Sequence, residues 1–255
     1  MAQKQIVDLD LRGTGFDDTV NFPGQDASQT WRITGAQIKA WIKAFVSADY
    51  SAPTIQKFTS GSGTYTKPAN VKYIRVRMVG GGGGGWGTSG GGTPTGASAG
   101  GNTTFGTSLL VANGGAVGGT QVGGDGGTAS LGTGPIGIAV SGQKGNGGTA
   151  NSAAVNTSGG AGGNSFFGGA GPSQPNGNGF AAATNSGSGG GGAGATNGIQ
   201  AGGGGGAGGF VDAIITSPSN TYSYAVGAGG SGTTGGTNNG AAGAAGMIEV
   251  TEYYI

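Results

Sequence analysis

The chain contains no histidine and no cysteine in 255 residues, and carries only 11 basic and 10 acidic side chains. A serine nucleophile normally needs a neighbouring base, usually histidine, and zinc sites draw chiefly on cysteine and histidine. The acids are sparse, and Asp17 and Asp18 form the single adjacent pair, which a solvated turn explains. The expectation is therefore a protein that is not an enzyme, with no catalytic residues, no metal and no cofactor. A net charge of +1 gives no basic field for nucleic acid or an anionic membrane. The absence of cysteine excludes disulfides as a source of stability. The first twenty residues, MAQKQIVDLDLRGTGFDDTV, hold neither the apolar core of a signal peptide nor an apolar run long enough to span a membrane. No membrane insertion is expected, and synthesis in a cytoplasm without a signal peptide is.

What is abundant is glycine, at 67 residues. Glycine loses more backbone entropy on ordering than any other residue and brings no side chain to bury. Its distribution is uneven. Ten of the 11 basic residues lie in 1–77, whereas 80–246 holds 61 of the 67 glycines and, as charges, only Asp125, Lys144 and Asp212. The chain divides into an N-terminal module over 1–50, a linker over 51–57 and a glycine-rich domain over 58–255.

In the N-terminal module, Ile38, Trp41, Ile42 and Phe45 recur at helical spacing and predict a helix over about 35–47. Thr34 and Gln37 stand in capping-box positions at its start. About thirty residues before it read as irregular. So small a module without disulfides is expected to gain stability by oligomerisation.

Conventional strands frame the glycine-rich domain, which argues that it folds. The run 71–79 places Ile74, Val76 and Met78 on one face and Tyr73, Arg75 and Arg77 on the other. The last residues put Ile248 and Val250 opposite Glu249 and Thr251. Further strands are expected over 210–215 and 221–226, joined by the turn Ser217-Pro218-Ser219-Asn220, with weaker candidates over 103–111 and 136–140. The fold class that follows is mainly β: a small module with one helix, then a glycine-rich, antiparallel, β-sandwich-like domain.

Glycine tracts at 80–85, 90–92, 189–192 and 202–206 run between the strands. They lack the strict third-position glycine of collagen. They also lack the Lys-Ser or Lys-Thr that closes a phosphate loop, since Lys144 is followed by Gly145 and Asn146. Two uses remain open. The tracts are either flexible loops, or extended helices of three residues per turn whose outward N–H and C=O groups bond to neighbouring helices. In the second case backbone hydrogen bonding takes the place of a dense apolar core.

The run FTSGSGTYTKPANVKYIRVRMVGGGGGG at 58–85, the segment GNTTFGTSLLVANGG at 101–115 and the finish YAVGAGGSG and GAAGMIEVTEYY together resemble the glycine-rich C-terminal domain of bacteriophage tail fibres and related adhesins. The resemblance covers about 55–255. The WRITGAQIKAWI stretch also resembles short modules of tail-fibre proteins. The resemblance implies a homotrimeric receptor-binding protein of the virion, located in the phage tail. Its N-terminal module would attach to other tail proteins, and its tip would meet a host surface polysaccharide or outer-membrane protein. It also implies that packed polyglycine helices serve as a platform for variable loops.

On such a platform, specificity falls to the few larger side chains. Candidate receptor contacts are Trp86, Phe167 and Phe180, whose flat faces suit sugar rings, with Asn176, Asn178 and Asn238 as hydrogen-bonding groups. Phe105 and Phe166, in the similar segments GNTTFG and GNSFFG, read instead as core. The alternatives are a purely structural virion fibre or decoration protein and a polysaccharide-degrading tailspike. The second is disfavoured by the lack of clustered acids in the glycine-rich region.

Overall fold

The structure, a computed structural model, describes residues 21–25, 30–49, 51–88, 94–149, 156–196 and 199–254. It forms two compact units, Met1–Ala52 with Tyr254–Ile255, and Pro53–Tyr253. In the first unit a hairpin of β1 (Asn21–Gln25) and β2 (Thr30–Thr34) precedes α1 (Gly35–Asp49). The helix lies where the sequence places it. The hairpin corrects the expectation of irregular chain, and Pro23-Gly24 within β1 is what disguised it, since both residues weaken a strand reading. Of the expected apolar stripe, Ile42 is exposed and Ile38 half-buried. The side chains of Thr34, Trp41 and Phe45 lie outside the described residues.

The second unit is mainly β at one end. One antiparallel sheet takes β3 (Thr54–Phe58), β12 (Met247–Tyr253), β5 (Tyr73–Val79), β10 (Phe210–Ile215) and β9 (Ile136–Val140), in that order. The other takes β4 (Ser62–Thr66), β11 (Thr221–Ala225), β6 (Thr103–Phe105), β7 (Leu110–Ala112) and β8 (Ala129–Leu131). The arrangement is sandwich-like, as the alternation predicts. Ile74, Val76, Met78, Ile248 and Val250 are buried, together with Tyr65, Phe105 and Leu110 of the second sheet. The sequence reading is corrected at several points, and β4 and β8 lie where no strand was expected. The single strand expected over 103–111 is a hairpin, because Gly106 takes a positive φ of 63° and turns the chain. Thr54–Phe58, assigned largely to the linker, pairs with β12 as an edge strand.

At the other end of the unit the glycine tracts at 80–85, 189–192 and 202–206 form helices rather than loops, while the tract at 90–92 lies outside the described residues. Every third amide of residues 80–86 reaches the same neighbour: Gly80, Gly83 and Trp86 donate to the carbonyls of Gly209, Gly206 and Gly203. Gly81 and Gly84 donate to Gly101 and Ser98, and Gly82 and Gly85 to Ala244 and Ala241. The carbonyls of the same helix accept from Gly115 and Gly118, from Gly230 and Thr233, and from Gly190 and Ala193. This is a helix of three residues per turn ringed by six others. Because no residue of 80–86 has a positive φ, the helix is extended and left-handed, of the polyproline II type. Residues 187–194 and 202–209 are enclosed in the same way, and the three enclosed helices bond to one another.

These three helices carry the longest glycine tracts for a steric reason. A Cβ on Gly82, Gly84, Gly190 or Gly205 would lie closer than 3.0 Å to a carbonyl oxygen of an adjacent helix, a separation side chains do not show. Helices on the outside need glycine on inward faces only. In Gly123-Gly124-Asp125-Gly126-Gly127-Thr128 the non-glycine positions are exposed, and in Gly159-Gly160-Ala161-Gly162-Gly163-Asn164 all four glycines are buried. A three-residue turn thus converts a G-G-x pattern into two packing faces and one outer face.

Strand and helix are continuous. β5 runs into 80–86, residues 202–209 into β10, residues 95–102 into β6, β7 into 113–119, β11 into 226–234, and 240–246 into β12. The sandwich therefore holds one end of the glycine block, and most connections between helices emerge at the far end. Two turns, 165–168 and 183–186, return to the sandwich end.

Candidate functional site

The far end of the glycine block gathers four of the six residues singled out in the sequence. Trp86 closes the first enclosed helix, donating its amide to the Gly203 carbonyl at 2.8 Å and accepting from the Ala193 amide at 2.9 Å. Two residues on, Thr88 and Asn238 hold each other: the Thr88 amide donates to the Asn238 carbonyl at 2.9 Å, and the Asn238 amide donates to Thr88 Oγ1 at 3.0 Å. Asn238 Nδ2 donates to the Gly194 carbonyl at 2.7 Å. Asn178 Oδ1 accepts from the Asn239 amide at 2.7 Å. Asn176 donates its amide to the Thr157 carbonyl and adopts a φ of 45°, which asparagine tolerates better than most residues.

The loops that follow different helices are thus tied to one another. Part of the asparagine hydrogen-bonding capacity expected for a ligand ties them together instead. Beside Asn178, Asn239 Oδ1 is a buried acceptor with no hydrogen-bond partner among the described residues. A buried acceptor left in this state costs about 1–3 kcal/mol.

Phe180 lies near this end, on an outer helix, with 49% of its surface exposed. Its backbone is fixed by the Gly191 amide and the Pro172 carbonyl. Phe167 is elsewhere. It belongs to the 165–168 turn at the sandwich end, where it packs edge-on against Phe210 at 5.6 Å with the Arg77 guanidinium 5.8 Å from its ring centroid. Phe105 is fully buried, as expected of core, but Phe166 is 66% exposed and stacks on Phe210 at 4.0 Å. The similar segments around these two residues therefore adopt unlike structures, strand β6 in one case and a turn in the other.

The described acids of the second unit are each engaged by donors rather than by one another. Asp212 accepts from Arg75 Nε at 2.7 Å, and this bond raises the Arg75 pKa above its ordinary value. Asp125 pairs with Lys144 at 2.6 Å on the outside of the glycine block. Glu249 pairs with Arg77 and Lys57. Glu252, buried inside the sandwich, accepts from Thr54 Oγ1, from Gln56 Nε2 at 2.6 Å and from Tyr65 Oη at 3.0 Å.

Thr88 and Gly194, which with Asn239 hold the far-end loops in register, escaped sequence reasoning. Their proximity follows from the order of helices in the lattice, which no local signal encodes. No family model matches the chain, and no curated protein matches it.

Proposed function

We propose that this protein is a host-recognition adhesin of the phage tail-fibre type, in which the glycine block is a rigid platform and its far-end loops are the contact surface. The observation that carries this reading is the separation of roles within the second unit. The three enclosed helices present almost no side chains, while Trp86, Asn176, Asn178 and Asn238 are collected at the end opposite the sandwich. Recognition surfaces are commonly loops held by a rigid scaffold, and a lattice bonded on all sides lowers the entropy lost when those loops meet a partner. Attachment to tail proteins through residues 1–50 and assembly as a homotrimer belong to the same proposal, as does a polysaccharide or outer-membrane protein as the receptor.

The test is adsorption to host cells after exchange of the loop residues 234–239 and 173–178 for those of an unrelated loop of equal length, leaving the helices intact. The expected result is loss of adsorption on at least one susceptible strain, with the amides of the enclosed helices still protected from hydrogen exchange. Undiminished adsorption on every strain would favour a purely structural fibre.

A further inference from the structure

We infer that a second binding site, independent of the far-end loops, lies where the glycine block meets the outer face of the β3-β12-β5-β10-β9 sheet, and that it takes a sugar bearing a carboxylate. The cavity there has a volume of about 480 Å³, within the range usual for small-molecule sites. One wall is the sheet, contributing Lys57, Arg77 and Glu249; the other is formed by Phe167 and by Thr184 and Asn185 of the two turns that return to the sandwich end.

The second wall is built rather than incidental. Ser188 Oγ donates to the Gly168 carbonyl at 2.7 Å and lies 3.0 Å from Ser165 Oγ, Ser165 Oγ donates to the Ser186 carbonyl, and Ser186 Oγ donates to the Ala183 carbonyl at 2.6 Å. Ser186 and Ser188 are buried. This chain of hydroxyls welds the 165–168 turn to the 183–186 turn, and the stack of Phe166 on Phe210 anchors the former to β10. Asn185 is held at a φ of 56°.

The lining selects the ligand class. Lys57, Arg77 and Glu249 sum to one positive charge. Glu249 is bonded to Arg77, whereas Lys57 stands 3.6 Å from it, beyond hydrogen-bond length, with half of its side chain exposed. The ammonium therefore keeps donors for an anion. The hydroxyl of Thr184 and the amide of Asn185 suit ring hydroxyls, and Phe167 offers an apolar edge. A carboxylate on Lys57 with a hydroxylated ring against the turn engages both walls at once. A neutral sugar leaves unused the donors that Lys57 does not spend on Glu249, and a simple carboxylate leaves the turn unmatched.

The experiment is titration of the full chain with glucuronic acid, glucose and acetate, followed by amide chemical shifts and calorimetry. Glucuronic acid is expected to bind in the millimolar range with glucose about ten-fold weaker, the worth of one charge-assisted hydrogen bond. Shifts should centre on Lys57, Arg77, Phe167 and Asn185. Lys57→Gln, a change at an exposed position, should remove the preference for the acid and leave the thermal midpoint in place; Thr184→Val should weaken both sugars. Equal affinity for the two sugars, acetate binding as tightly as glucuronic acid, shifts centred on the far-end loops, or a preference that survives Lys57→Gln would each overturn the inference. None of these outcomes bears on adsorption through the far-end loops, so the two proposals fail separately.

Discussion

The sandwich and the glycine block of the second unit solve the same problem by opposite means. In the sandwich, Ile74, Val76, Met78, Val211, Ile248 and Val250 remove apolar surface from water, and the backbone bonds only to its strand neighbours. In the block there is almost nothing apolar to bury. Order comes from peptide groups that point in three directions and find partners in all of them, as the amides of Gly83, Gly84 and Gly85 do on three separate helices. The difference teaches that glycine, unfavourable in ordinary elements because of its unfolded-state freedom, becomes necessary where backbones must approach without side chains between them. The requirement is for space more than for torsion. Gly187, at φ 73°, is the one glycine of the enclosed helices in the left-handed region.

Substitutions separate the two sources of order. The largest effect is expected for Gly84→Ala or Gly205→Ala. The new methyl would overlap the carbonyl of Ser231 or of Gly83 and would spread the lattice. A destabilisation on the order of 4 kcal/mol is expected from overpacking plus disturbed hydrogen bonds, read from denaturant midpoints. Next comes the sandwich. Ile74→Ala, at a fully buried position, should cost about 3 kcal/mol as a cavity. A methyl added to the block would then be worse than several carbons removed from the core.

Smaller effects locate the edge of the lattice. Gly169 has no atom within 4 Å of a would-be Cβ and no positive φ, so Gly169→Ala should be neutral or stabilise by about 0.5 kcal/mol through the unfolded state. The same exchange thus changes sign between an enclosed helix and an exposed glycine. Asp125→Ala, on the outer face and paired only with an exposed lysine, should shift stability by less than about 0.5 kcal/mol. If all of these substitutions had similar small costs, the tracts would be behaving as loops.

The parts of the fold legible in the sequence were those with a period of two and a buried face. Alternation in 73–79 gave β5 and its two faces, and β10 falls on the residues expected, Phe210–Ile215; the exception is β9, which falls where expected, Ile136–Val140, although all five of its residues are exposed. β3 and β4 were not read, because edge strands with mostly exposed residues such as Thr54, Ile55 and Ser62 carry little alternation. The helices of the block were legible in part. The pure glycine tracts admitted them as one of two uses, but the G-G-x period of 123–128 and 159–164, which marks the outer helices, is easily passed over because each run is only two repeats long. For the candidate site, the residue types suggested aromatic and asparagine contacts. What brings Trp86 beside the 187–194 helix while placing Phe167 at the opposite end is the order of helices around the lattice, set by hydrogen bonds such as Ala193 to Trp86. Such long-range order has no local sequence signal.

Whether the glycine tracts form a hydrogen-bonded lattice is measured directly by amide hydrogen exchange of the intact protein. The amides of Gly83, Gly190 and Gly205, each bonded within an enclosed helix, should exchange only with global unfolding and more slowly than those of the exposed edge strand β9. Exchange of those three amides at the rate of an unprotected loop, while β5 and β12 stay protected, would contradict the lattice.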